Sequence, residues 1–244
     1  MTRFYELLQS AERDREILER SLQENTATNP TSRLSLPPLW RTEVSKLVRK
    51  LFFNGNSQHI RTVVLAGAGN DDSSASVGAH TADLLATMVL GRVCVVDANV
   101  WQPSLHERLK ASNRLGFSNL ALDTSVTASD VAQNVGDNLW LLPSGNAPEP
   151  QQVFNSSLLV PRIAELRRFF DYVLIVAPDL GCLSDVIPIA QCCDGLVLIV
   201  RANSTRRDTV LRLKNEVEAA NVKILGSVLT DRRFPIPQTI YSKL

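Results

Sequence analysis

Thr62-Val-Val-Leu-Ala-Gly67-Ala-Gly-Asn-Asp-Asp-Ser-Ser-Ala-Ser76 passes from an apolar run, through a polar turn that opens with glycines, into a segment carrying Leu84, Leu85 and Ala86. That change of pattern predicts a buried strand, a tight turn and a helix. Working outward, further short runs rich in β-branched and apolar residues lie at 93–96, 139–142, 172–177, 195–200 and 224–229. They are nearly continuous in apolar character, as strands covered on both faces must be. Most of the segments between them are long enough for a crossover helix. Right-handed βαβ units follow, and with them a doubly wound, mostly parallel α/β sheet of the P-loop NTPase type. The chain has no internal repeat and no low-complexity tract.

The first 60 residues read differently. Residues 1–22 form an amphipathic pattern, with Phe4, Leu7, Leu8, Ala11, Leu18 and Leu22 at three- or four-residue steps. Residues 23–38 hold Asn, Thr, Ser and three prolines, the composition of a linker. A second helix is predicted over 39–53, with Val44, Leu47, Val48 and Leu51 on one side and Asn54-Gly-Asn-Ser57 ending it. The expected organisation is an N-terminal helical extension followed by one α/β domain over 39–244, its sheet beginning at 61.

Composition narrows the function. The 244 residues are 44% hydrophobic and 21% charged, an ordinary globular balance. A net charge of +1 gives no global attraction to nucleic acid or an anionic membrane. Cys94, Cys182, Cys192 and Cys193 form no metal-ligand spacing and read as buried free thiols of a reducing compartment. Met1-Thr2-Arg3-Phe4 is too polar to open a signal peptide, and no apolar run approaches the roughly 18 residues of a membrane span. A cytoplasmic protein is expected.

In such a sheet, ligands bind beyond the carboxyl ends of the strands. A working phosphate loop there needs glycines for close backbone approach, a Lys for the outer phosphates and a Ser or Thr for magnesium. The loop after residue 66 has glycines only at its start. It carries Asp71 and Asp72, and no Lys occurs between Phe53 and Lys110. Two readings stand: a plain polar turn, or an anion seat made by the hydroxyls of Ser73, Ser74 and Ser76. Asp97 ends the second run, where a buried carboxylate holds a metal, a water or a backbone turn. The run 172–177 places Val176 where a P-loop enzyme has its magnesium-side acid. Asp179 is a displaced candidate for that role. His59, His80 and His106 make no cluster. Arg201, Arg206 and Arg207 follow the fifth run and could meet an anion or a partner carboxylate, although solvated arginines at a helix start are the commoner case. No Gly-x-Ser-x-Gly elbow or Cys/His pairing points to acyl transfer.

Several of these segments, taken in order over residues 61–234, resemble the bacterial tyrosine autokinases of capsule and exopolysaccharide synthesis. Those are P-loop proteins related to the partitioning and septum-site ATPases. Val-Val-Asp97-Ala-Asn99-Val-Trp-Gln-Pro103-Ser-Leu-His106 is similar to the family's Asp-Ala-Asp-Leu-Arg-x-Pro-x-Leu-His segment. Gly116-Phe-Ser-Asn-Leu120 resembles its Gly-Leu-x-x-x-Leu turn. Asn138-Leu-Trp-Leu-Leu-Pro-Ser-Gly145 with Pro150-Gln-Gln-Val-Phe-Asn-Ser156 resembles its strand and Pro-x-Glu-Leu-Leu-x-Ser signature. Phe170-Asp-Tyr-Val-Leu-Ile, Ser184-Asp185 and Asp194-Gly-Leu-Val-Leu-Ile-Val200 continue the order.

The departures fall on the positions the resemblance would make functional. The family's Gly-Lys-Ser/Thr lies over Ser73, Ser74 and Ala75, so the Lys is lost. Asn99 replaces the second acid of the Asp-x-Asp pair, and Val176 the strand-end acid. Thr230 stands where an Asn commonly reads the base. The C-terminal tyrosine cluster is reduced to Tyr241, the remaining phosphoacceptor candidate. The resemblance therefore implies a degenerate member that takes no cofactor. It would act as a regulatory or scaffold partner beside a membrane polysaccharide co-polymerase or another exopolysaccharide-assembly protein, membrane-associated only through that partner, with a homo-oligomer as a further option. The alternatives are an active ATP- and magnesium-dependent tyrosine autokinase or ATPase with a non-standard loop, and a chain that binds nucleotide without turnover. Ser73, Ser74, Ala75, Ser76, Asp97, Asn99 and Thr230 are the cofactor-binding positions to inspect, with Asp97 the candidate for metal or catalysis.

Overall fold

A computed structural model of the protein describes residues 34–53, 59–69, 71–146 and 149–232. The amphipathic pattern over 1–22, most of the 23–38 segment, Asn54–Ser57 and Tyr241 lie outside the described residues. The chain runs through α1 (Pro38–Phe52), β1 (Thr62–Gly67), α2 (Ser73–Met88), β2 (Val93–Asp97), α3 (Leu105–Arg108), α4 (Phe117–Leu122), α5 (Ala128–Val131), β3 (Gln133–Asn134) and β4 (Leu139–Leu142). It continues through α6 (Pro150–Phe154), α7 (Leu159–Phe169), β5 (Tyr172–Val176), a 3-10 turn (Leu180–Cys182), α8 (Leu183–Gln191), β6 (Gly195–Arg201), α9 (Arg207–Ala219) and β7 (Ile224–Thr230).

The strands form one seven-stranded sheet in the order β3-β4-β2-β5-β1-β6-β7. Every neighbouring pair is parallel except β3 with β4. β1 enters the middle, between β5 and β6, and all six of its residues are buried. Because side chains alternate along a strand, its residues divide between two cores. Val64 and Ala66 join Val96, Phe117, Leu120, Ile163, Ile189 and Leu213 on one face. Val63 and Leu65 join Val48, Phe52, Leu85, Val95, Leu105 and Val176 on the other. The doubly wound sheet expected from the apolar runs is therefore what forms.

Two details depart from the sequence reading. β7 is not covered on both faces: Gly226, Ser227 and Leu229 are exposed, because among the described strands β7 pairs only with β6. The short strand β3 was not expected, since Gln133 and Asn134 carry no apolar signal. Their backbones pair with Leu141 and Trp140 all the same. The helix expected over 39–53 begins at Pro38, a residue whose fixed φ suits a first helical turn. Its Val48, Leu51 and Phe52 pack onto the α2 face, with the Phe52 ring edge-on to Tyr172 at 5.5 Å.

The parallel arrangement brings the carboxyl ends of β1, β2, β5, β6 and β7 to one edge. The Gly116 turn is built against that edge beside β4: Phe117 N–H donates to Pro143 C=O at 2.7 Å and Ser118 N–H to Ser144 C=O at 2.9 Å. A Cβ on Gly116 would run into the Pro143 carbonyl, so only glycine fits there.

Candidate functional site

The loop after β1 is tied to the sheet before it turns. Ala68 N–H donates to Ile199 C=O of β6 at 2.8 Å, and Asp71 N–H to Gly69 C=O at 2.9 Å. The Asp71 carboxylate then accepts the N–H of Ser73, the first residue of α2, at 2.8 Å. One of the donors that a phosphate would use at a helix start is thus taken by the chain's own carboxylate. Asp72 turns the other way. It accepts from Ser104 Oγ at 2.5 Å and pairs with the guanidinium of Arg108 in α3.

The four loop positions singled out from sequence separate in space. Ser74 and Ala75 line the cleft at the loop, and both are buried. Ser73 Oγ lies 3.4 Å from Thr230 Oγ1 at the end of β7. Ser76 sits within the first turn of α2, where its carbonyl meets His80 Nδ1 at 2.7 Å. Thr230 therefore reaches the same loop as Ser73.

At the next strands the contrast is sharper. Asp97 ends β2 and Val176 ends β5, and the two are direct partners in the parallel register. The Asp97 carboxylate is 1% exposed and accepts three backbone N–H groups: Leu105 at 3.0 Å, Ser104 at 3.1 Å and Asn99 at 3.3 Å. Burial raises its pKa to about 6, and the three N–H groups offset part of that rise. Asp97 thus holds the β2–α3 connection together. Of the roles open to it from sequence, the backbone turn is the one its contacts fill. Val176, also 1% exposed, sits over Gly78 of α2. A Cβ on Gly78 would overlap Val176 Cγ2 and come within 3.3 Å of Leu65 Cδ1. The missing side chain of Gly78 is the space into which the valine fits.

Between these ends lies a cleft of about 210 Å³, lined by Asp71, Asp72, Asn99, Trp101, Val176 and Asp179 among others. Its charged lining residues are all carboxylates. Asp179 accepts the N–H of Gly181 at 2.7 Å and so starts the 3-10 turn. Trp101 donates its indole N–H to Asp185 at 3.0 Å, joining the β2–α3 loop to α8. Asn99 accepts the N–H of Gln102 at 3.3 Å. Arg201 pairs with Asp231 of the same chain at 2.6 Å, both side chains being nearly half exposed.

The cysteines are all free, as expected, but only Cys94 is fully buried. Cys182, Cys192 and Cys193 are half-buried, because they stand at the two ends of α8 and just beyond it, where the helix leaves the core. No group of three or more His, Cys, Asp or Glu side chains among the described residues could hold a metal ion. No helix among them is long and apolar enough to cross a membrane.

A magnesium nucleotide, which the fold would ordinarily take, fits this edge poorly. Its phosphates would meet Asp71 and Asp72 with no lining cation among the described residues, and the Val176 side chain offers no oxygen to a metal. Three features of the edge were not visible in the sequence: the Asp72–Arg108–Ser104 contact, the Gly78 gap and the Trp101–Asp185 bridge. Ser104 stands at the N-cap of α3, but its hydroxyl goes to Asp72 and caps no helix N–H, so its helix-start preference did not signal the first. Nothing local flagged the others.

The strand order and the glycine-opened turn leading into α2 define a P-loop NTPase-type domain. No protein-family model matches the chain. Sequence relatives are bacterial tyrosine-protein kinases. Tyrosine-protein kinase CpsD of Streptococcus agalactiae is 25% identical over 180 residues, spanning 72% of this chain and 77% of that one. Tyrosine-protein kinase YwqD of Bacillus subtilis is 20% identical over 182 residues, spanning 74% and 76%. Among solved structures, the kinase domain of Escherichia coli tyrosine kinase ETK superposes with a TM-score of 0.72 at 19% identity, covering 80% of this chain and 78% of that one. The chimerical protein CapA2B2 superposes at 0.71 with 20% identity, covering 84% and 88%. The chain is thus related to the bacterial tyrosine-protein kinases, the family its ordered motifs resemble.

Proposed function

We propose that this chain is a P-loop-fold protein of capsule or exopolysaccharide assembly that has given up phosphoryl transfer. It acts as a regulatory or scaffold partner of a membrane polysaccharide co-polymerase or a similar assembly protein. The observation that carries this reading is the charge of the cleft: among the described residues Asp71, Asp72 and Asp179 line it and no Lys or Arg does. Phosphoryl transfer depends on positive charge placed where negative charge develops, and losing it costs orders of magnitude in rate. Asn99, Val176 and Thr230 add to the case, because each stands where the relatives' resemblance implies a metal or base contact. The kinship with tyrosine kinases supports the setting in polysaccharide assembly.

Calorimetric titration of the purified protein with ATP and ADP in magnesium tests the reading. No saturable heat at millimolar nucleotide is expected. Binding tighter than about 100 μM, the range of specific small-ligand sites, overturns it. The active-kinase alternative would then be tested by autophosphorylation, with Tyr241→Phe as the control.

A further inference from the structure

Asp72 and Arg108 form an ion pair beside the cleft. Asp72 lines the cleft, in the turn that enters α2, and Arg108 lies at the end of α3. Their ion pair, with Ser104 Oγ donating to the same carboxylate at 2.5 Å, straps the β1–α2 turn to the β2–α3 connection. That connection is itself fixed, because Ser104 and Leu105 donate their N–H groups to buried Asp97. The other end is held as well, since Asp72 is the N-cap of α2 and its carbonyl accepts the N–H of Ser76 at 3.1 Å; both ends of the strap stand on held backbone, and the side-chain contact between them is the part able to exchange.

Exposure agrees with this division. The Asp72 side chain is 50% exposed and that of Arg108 32%, so the pair meets at the water's edge, where ion pairs are weak and exchangeable. The Arg108 Nε is buried and has no hydrogen-bond partner. If Asp72 left, a guanidinium with its donors unspent would remain at the rim of the cleft, and guanidinium is the group best matched to phosphate oxygens.

We infer that Arg108 is a latent phosphate-binding residue of this chain and that Asp72 is its internal competitor, an autoinhibitory carboxylate that keeps anions out of the cleft. The inference rests on the reading that the cleft of the unaltered chain takes no nucleotide. Neutralising Asp72 removes the competitor and one of the repelling charges together, and Arg108 then meets an incoming phosphate.

The test is calorimetric titration of the full chain with metal-free inorganic pyrophosphate, run on the unaltered protein and on Asp72→Asn, Arg108→Gln and the double variant. Asp72→Asn is expected to bind at least about 10-fold more tightly than the unaltered chain, the scale of one neutralised charge near a protein surface. The double variant is expected to lose that gain. Ser104→Ala, which loosens the strap without changing charge, should gain in the same direction but less. No gain in either Asp72→Asn or Ser104→Ala overturns the inference, and so does a gain that survives in the double variant. Unfolding midpoints of all the variants confirm that folded chains are compared. Tight magnesium-nucleotide binding by the unaltered chain would defeat the functional reading above while leaving this metal-free comparison intact.

Discussion

Asp97 and Val176 sit side by side at the ends of β2 and β5, partners in one register, equally buried, and they solve opposite problems. Asp97 keeps its carboxylate because three backbone N–H groups of the following turn need an acceptor. Val176 has no such turn to serve: the chain after it continues through Pro178 to Asp179, which starts the 3-10 turn by itself. What stands opposite Val176 is the gap at Gly78, which an apolar side chain fills. Two strand ends at the edge where this fold binds ligands have thus been set by local structure, one polar and one apolar. Neither carries an obvious debt to a metal or a phosphate.

The comparison can be broken most violently with Val176→Asp. A second carboxylate would be buried beside Asp97, with no donors arranged for it. A loss of about 3–5 kcal/mol is expected from stranding a charge in the interior, read as a lower denaturant midpoint at unchanged slope. Restoring the acid should therefore not restore nucleotide binding by itself.

A second test uses pH. The folded chain raises the Asp97 pKa to about 6 from an ordinary 3.8, so between those values it holds a proton that the unfolded chain has released. Stability from this group is fully present below about pH 4 and is lost as pH rises to about 6, by at most roughly 3 kcal/mol. Asp123 and Asp130, held low by hydrogen bonds from Ser125 and Thr127, act in the opposite direction. The measurement is therefore the difference between the unaltered chain and Asp97→Asn. That difference should shift against the unaltered chain between pH 4 and pH 6 and be level above pH 7.

Gly78→Ala probes the apolar side of the comparison. The added methyl overlaps Val176 Cγ2, and overpacking of this kind costs about 1–3 kcal/mol. Combining it with Val176→Ala should recover much of the loss, a coupling that a double-mutant cycle reads directly. The smallest effect belongs to the rim: Asp72→Asn should change stability by less than about 1 kcal/mol, as for other partly exposed ion pairs. A loss much greater than that would mean the strap is structural.

The sheet was legible for a simple reason. Strands buried on both faces must be apolar throughout, so runs such as Val63–Leu65 and Leu196–Ile199 declare themselves in one dimension. β3 and the exposed face of β7 were not legible, because pairing by backbone alone and lack of a covering neighbour leave no mark on side-chain type. At the candidate site, the absence of Lys between Phe53 and Lys110, and Val176 at a strand end, were plain in the sequence. The sequence also marked Asp97 as a residue needing a partner. It could not say that the partners are the N–H groups of Asn99, Ser104 and Leu105, since a carboxylate's partner depends on how the next turn folds back.

By itself, then, the sequence determined the kind of sheet, the kinship and the lack of a Lys in the loop after β1, because each depends on which residues are present. Only the tertiary structure decided how the side chains at that edge are partnered. It brought Asp72 against Arg108 across 36 positions of chain, set Val176 into the gap at Gly78, and joined Trp101 to Asp185 across 84. Such contacts arise where parallel strands deliver distant loops to one edge. The distances that matter there are set by packing and not by separation along the chain.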